Sequence, residues 1–310
     1  MAFSAYLTNY LSQHFFTSVA PITSPISTGA YFGLTSAQST SYPYNWLDIS
    51  NIGNGYTRQT FNYSIKPAPI DYVFQNSTIT FPKATASWGN VRGLTLWDND
   101  TVGAGNQLWS ARWDTGPPNY TAIPYHTIDT GYQLTIPYDG PSDSSWVVIM
   151  VQGQILSNLY TVEYGGVAPA FNRIIMQWIF NLNPYPYART YDVAIGRGAT
   201  INTDNWGRWT GRWEECSGTN YPYYPNRISM ATTDWVQTTS GVTNKNEIVF
   251  TTGAPDDTWG LIEDIVLYVT GTNTAAFWGH LAEPATISTG DAWGIGINKI
   301  KINWGGDVIT

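Results

Sequence analysis

The chain has 310 residues, room for two domains of about 150 residues that each bury a core. Its 14 Lys and Arg stand against 22 Asp and Glu, and the resulting charge of −8 works against a phosphate backbone, so nucleic acid is excluded as an expected partner. Charged residues make up only 12% of the chain and aromatics 15%, a balance suited to faces covered by partners in a large assembly, or to stacking on sugars.

Cys216 is the single cysteine, which excludes an intrachain disulfide and a thiolate metal cluster. The opening segment, MAFSAYLTNYLSQHFF, lacks a basic n-region and a continuous apolar h-region. No apolar run reaches the roughly 18 residues a span requires, so neither a signal peptide nor a membrane segment is expected.

Phe3, Tyr6, Leu7, Tyr10, Leu11 and Phe15 recur at helical spacing and predict an amphipathic helix ending before Pro21. A strand follows over 30–35, then an aperiodic loop over 36–54 rich in Tyr, Trp, Pro, Asn and Gly. Next comes a frame of Ile79-x-Phe81-Pro82, a turn, and Trp88-Gly89, followed by the aromatics Trp97 and Trp109. Thr130-Gly131 then precedes a strand over 132–137. A turn-rich linker covers 139–145, and 146–151 reads as a short buried strand that either flanking domain could own.

The same order then returns. Phe171, Ile174, Ile175, Trp178 and Ile179 form a second helical stripe near 169–182, opened by Pro169 and stopped by Pro184. A strand over 190–195 and an aperiodic loop over 197–226 follow. Ile248-x-Phe250 leads to Trp259-Gly260, then Tyr268, Trp278 (matched to Trp109), Thr289-Gly290 and a final strand over 294–302. The expectation is a tandem duplication with domains 1–140 and 141–310. The fold class is mainly β: two β-sandwich-like domains, each opening with a short amphipathic helix packed on a sheet.

Several elements of the first half resemble a family of phage structural proteins, often labelled tail fibre or virion proteins. They are the helix end Leu11-Ser-Gln-His14-Phe15-Phe16, the strand Tyr31-Phe-Gly-Leu34, Gly55-Tyr56-Thr57-Arg58-Gln59, and Ile79-Thr-Phe81-Pro82-Lys-Ala84 leading to Trp88-Gly89. The second half is related to that family through the duplication alone, since Pro82 and the Gly-Tyr-x-Arg-Gln element have no counterpart in its sequence. The resemblance implies a virion location, on the outer surface of a particle assembled in the host cytoplasm, and no enzymatic activity.

The chemistry-bearing residues agree with that. His14, His126 and His280 lie far apart, outside any pattern that sets two metal ligands on one face, and His14 is expected to cap or pack at its helix end. Glu214 and Glu215 are adjacent, so on a strand they point to opposite faces and cannot flank one glycosidic bond; a solvated loop is the simpler reading. Asp98-Asn-Asp100 with Gly103 and Gly105 lacks the closing Glu of a calcium loop and reads as a turn between strands. No catalytic, cofactor-binding or metal-binding residue is assigned, and no cofactor is expected.

Ile79, Phe81, Pro82, Trp88, Gly89, Ile248, Phe250, Trp259 and Gly260 are read as a structural signature, with both tryptophans as core and not as sugar platforms. Candidate partner contacts are Tyr42, Tyr44 and Trp46 in the first loop, and Trp206, Arg208, Trp209, Arg212 and Trp213 in the second. The leading expectation is a capsid decoration or cement protein that bridges capsomers through the major capsid protein. A tail, baseplate or tail-fibre connector that binds other virion proteins or its own kind is the alternative. A carbohydrate-binding adsorption module ranks third, resting on aromatic content alone, so glycans are not an expected partner.

Overall fold

The computed structural model describes residues 2–3, 5–17, 23–26, 28–36, 54–65, 73–91, 93–112, 126–136, 148–149, 153–156, 162–167, 169–182, 184–186, 189–198, 201–202, 208–209, 214–218, 220–239, 241–251, 259–288 and 290–304. They form a mainly β protein with two principal helices. Helix α1 (Ala5–Ser12) runs into a π-helical turn, Gln13–Thr17, and helix α2 spans Pro169–Ile179. The wider π turn lets three consecutive side chains, His14, Phe15 and Phe16, all point inward. The N-terminal stripe begins later than its spacing implies. Phe3 belongs to a strand, Ala2–Phe3, and pairs with Trp109, because its backbone completes the sheet edge beneath the helix.

Two sheets share one plan. In the first half the order is Ala2–Phe3, Gln107–Arg112, Gly93–Trp97, Tyr31–Thr35, Gln59–Thr60, all antiparallel. In the second it is Val162–Val167, Ala275–Ile287, Gly260–Val269, Tyr191–Arg197, with Glu214–Glu215 and Ile228–Met230 both on the last strand. Both central hairpins carry a register shift at the same place, between Leu96 and Trp97 and between Leu267 and Tyr268. That register sets Trp109 opposite Leu96 and Phe277 opposite Leu267. Phe277 is therefore the counterpart of Trp109. Trp278, the expected match, lies one residue on and packs on the other face with Ala194, Val266 and Tyr268.

Smaller ladders complete each half. Ile79–Thr80 pairs with Thr135–Ile136, and Ile248–Thr251 pairs with Ala292–Ile295. The strand expected over 294–302 is two strands, Ala292–Ile295 and Lys301–Trp304, separated by a turn in which Asn298 has a φ of 61°. Val148–Ile149 pairs with Val73–Gln75, whereas Gly153–Leu156 pairs with Lys301–Trp304. The chain thus passes from one half's sheets to the other's between 149 and 153.

The main hydrophobic core is continuous across both halves, because α1 lies between them and the residues that end each helix pack across the boundary. Helix α1 lies on Gly241–Asn244 and Lys301–Trp304 as well as on Gln107–Arg112. The Thr8 hydroxyl donates to the Trp304 carbonyl at 3.3 Å. Phe16 packs among Tyr191, Trp235, Phe277 and Trp304 of the second half, at ring separations of 5.0, 4.8, 5.4 and 6.0 Å. Reciprocally, Phe180, just past α2, packs on Phe61, Tyr63 and Trp109 of the first half at 6.2, 4.5 and 5.7 Å. The Tyr63 hydroxyl donates to the Phe180 carbonyl at 2.8 Å, and Ser24 Oγ donates to that of Ile179 at 2.7 Å. A short helix on its own gains little stability in water, so these aromatic contacts hold each helix in place.

Candidate functional site

The most repeated local geometry is a tyrosine–arginine clamp at the edge of each sheet. In the first half, the Tyr56 hydroxyl accepts from the Leu34 amide at 2.7 Å. Its ring lies parallel to Phe81 at 6.3 Å and edge-on to Trp88 at 5.4 Å. Two residues on, Arg58 lies over Trp97 with its guanidinium carbon 3.7 Å from the ring centroid, and Nη1 donates to the carbonyls of Asn99 and Ala104 at 2.7 and 2.8 Å. Arg58 thereby shapes the hairpin loop, where the Asp98 carboxylate also takes the Asn106 amide and side chain. This Asp-Asn-Asp segment is a clamped turn, and among the described residues no group of three His, Cys, Asp or Glu could hold a metal ion.

The second half repeats the clamp with different spacing. The Tyr221 hydroxyl accepts from the Ile195 amide at 3.0 Å, and its ring lies parallel to Phe250 at 6.4 Å and edge-on to Trp259 at 5.3 Å. Arg227 lies over Tyr268 at 3.7 Å. One residue separates the clamp's Tyr from its Arg in the first half, and five do so in the second. The Gly-Tyr-x-Arg-Gln motif is thus missing from the second half's sequence while its geometry is present. The available signal was a Tyr and an Arg upstream of Ile-x-Phe, obscured by the inserted residues.

Ile79, Phe81, Trp88, Ile248, Phe250 and Trp259 are buried, and Pro82 is half-buried beside them. Gly89 and Gly260 follow their tryptophans with φ of 72° and 77°, a conformation a side chain would strain. The Trp88 and Trp259 amides donate to the carbonyls of Ile128 and Ile287, so each ring is anchored at the base of a strand pair. Tyr42, Tyr44, Trp46, Trp206, Arg212 and Trp213 lie outside the described residues. Arg208 and Trp209 form a two-residue strand paired with Ile201–Asn202 inside what reads as an aperiodic loop.

Glu214 and Glu215 are not in a solvated loop but on a strand along Gly196–Arg197. Glu214 pairs with Arg197 at the surface at 2.9 Å, and that hydrogen bond holds its carboxyl below the usual range. Glu215 is buried and takes two hydrogen bonds from Arg227, at 2.9 and 2.7 Å. Each carboxylate is engaged by its own arginine on opposite sides of the strand. Next to them Cys216 is buried, and its thiol is pushed up to about 11 by burial and by the Glu215 charge, far from a reactive thiolate.

His14 stacks flat on Trp178 at a centroid separation of 3.6 Å, packed at the helix end as its position suggests. His280 Nδ1 lies 2.8 Å from the buried carboxylate of Asp264, its neighbour across the hairpin. The His126 backbone pairs with Val91. No sequence pattern marked the His280–Asp264 pair, since its partners are 16 residues apart and meet only through strand register.

These features define a class: a mainly β protein in which, among the described residues, the arginines, carboxylates and tyrosines of the clamps hold loops and strands together. Consistent with this, residues 2–118 match the family described as podophage GP4 fiber I protein gp80, a span that includes helix α1 and the first clamp. The match supports a phage virion structural protein. No curated protein and no solved structure matches the chain.

Proposed function

We propose that the chain is a non-enzymatic structural module of a phage tail fibre or its attachment, built as two fused copies of one β-rich repeat. The family match over 2–118 carries the fibre reading. The fused-repeat reading is supported by the paired clamps, in which Tyr56, Phe81, Trp88 and Arg58 have counterparts in Tyr221, Phe250, Trp259 and Arg227 at nearly equal distances. A fused pair presents two similar surfaces on one chain with a shared core, which suits a connector engaging repeated virion proteins. Capsid decoration would use the same architecture, but the family match favours the fibre.

Copy number separates the two. Quantitative mass spectrometry of purified particles against the major capsid protein is expected to give on the order of a dozen copies or fewer, as the rotational symmetry of a tail requires. Stoichiometry near that of the shell subunits would overturn the fibre position in favour of decoration. Absence from the particle would overturn the virion reading itself.

A further inference from the structure

Each half presents the end of its helix to the other, and the contacts come in matched pairs. The same sequence offset carries Phe3 to Val167, His14 to Trp178 and Phe16 to Phe180. Strand pairing supports that alignment independently, since Phe3 lies opposite Trp109 and Val167 lies opposite its counterpart Phe277. Tyr63 and Trp235 are equivalent as well. Each opens a strand, and their cross-strand neighbours Gln75 and Asn244 stand at the same spacing ahead of Ile79 and Ile248.

Phe16 meets Trp235 at 4.8 Å with ring planes 66° apart, and Phe180 meets Tyr63 at 4.5 Å with planes 61° apart. Phe16 lies 5.4 Å from Phe277, and Phe180 lies 5.7 Å from Trp109. A contact between two different positions that is returned in reverse is the mark of a two-fold interface. In such an interface a position touches its own counterpart only at the axis. His14 and Trp178 do so, with ring centroids 3.6 Å apart and planes 17° from parallel. We propose that the face joining the halves is a two-fold docking surface for another copy of the same repeat, with its axis through the His14–Trp178 stack. The fusion supplies that copy within one chain, at high effective concentration. One imidazole and one indole fill the axis, where two indoles would overpack it and two imidazoles would leave a void. The axis pair thereby selects a first half joined to a second half over a pairing of like halves.

This rests on the fused-repeat reading, and its failure would leave the matched clamps and the copy-number test untouched. The full chain is compared by thermal unfolding with His14→Trp, with Trp178→His and with the double variant that carries both. Each single variant is expected to lower the midpoint. The double variant returns one indole and one imidazole to the axis and should regain most of the loss. Tyr10→Trp with Trp178→Tyr is the control: these rings also stack, at 6.0 Å, but occupy unequal positions, and the Tyr10 hydroxyl donates to the Thr23 carbonyl at 2.7 Å. That exchange should recover little. If a single variant fails to accumulate, soluble yield replaces the midpoint, and the double variant should restore it. Single variants without effect, a double variant no better than the sum of its singles, or equal recovery in the control would each overturn the proposal.

Discussion

The imidazole of His14 lies on the indole of Trp178 with ring planes 17° apart, so the end of one helix is stacked on the other. Phe15 and Tyr185 meet the same imidazole edge-on. Among the described residues, neither ring nitrogen of His14 has a hydrogen-bond partner. Burial lowers its pKa from 6.5 to about 3, with the Arg189 charge adding to the effect.

A pH dependence follows from this. The folded-state value is depressed below the unfolded one, so the unfolded chain binds the proton more readily. The stability that neutral His14 supports is present above about pH 6.5 and falls as the pH drops from there towards 3, by up to about 1.4 kcal/mol per unit. His14→Phe keeps an aromatic ring on Trp178 and removes the titration. Chemical denaturation of both proteins between pH 7 and pH 4 should show a smaller loss for the variant; parallel curves would assign the acid sensitivity to other groups.

Phe16 and Phe180, at the ends of the two helical segments, couple the halves. Phe16→Ala and Phe180→Ala each delete a buried ring from the core of the opposite half and should each cost about 3–5 kcal/mol. Because each ring sits in the other half's core, either variant should lower one shared unfolding transition followed by tryptophan fluorescence. Two separated transitions, of which each variant moves one, would contradict a continuous core.

The clamp tyrosines act through one atom. Tyr56→Phe and Tyr221→Phe keep the rings but remove the acceptors of the Leu34 and Ile195 amides, at a cost of about 1–2 kcal/mol each. The two sites lie in different sheets, so the double variant should be additive to within about 0.5 kcal/mol in urea denaturation.

Arg227→Leu strands the buried Glu215 carboxylate and should cost about 3–5 kcal/mol, whereas Arg197→Leu at the exposed Glu214 pair should leave stability nearly unchanged. Adding Glu215→Gln to Arg227→Leu should recover part of the loss. Equal effects at the two pairs would show that burial does not separate them.

Gly241→Ala tests packing at backbone level. A Cβ there would collide with the Ile302 carbonyl oxygen, which belongs to the sheet and cannot move aside as a side-chain tip could. The variant should lose several kcal/mol or fail to accumulate as soluble protein, measured as soluble yield and thermal midpoint.

The sequence by itself determined the mainly β class, both helical stripes, and the repeated frame of Ile-x-Phe, turn and Trp-Gly. These depend on local periodicity and on residue types whose burial or backbone conformation is set within a few positions. Tyr31–Thr35, Tyr191–Arg197 and α2 lie close to where their patterns place them. Tertiary structure alone decided what depends on meetings between distant segments. It paired Arg227 with Glu215, aligned Phe277 instead of Trp278 with Trp109, and set Val148–Ile149 and Gly153–Leu156 on different sheets. It also placed α1 against the second half's strands, since an apolar stripe specifies that a face must be buried and not which sheet buries it. The clamp shows the division most clearly: in each half a Tyr meets a strand amide and an Arg meets an aromatic face, while the number of residues between them differs, so the shared geometry is visible only in the fold.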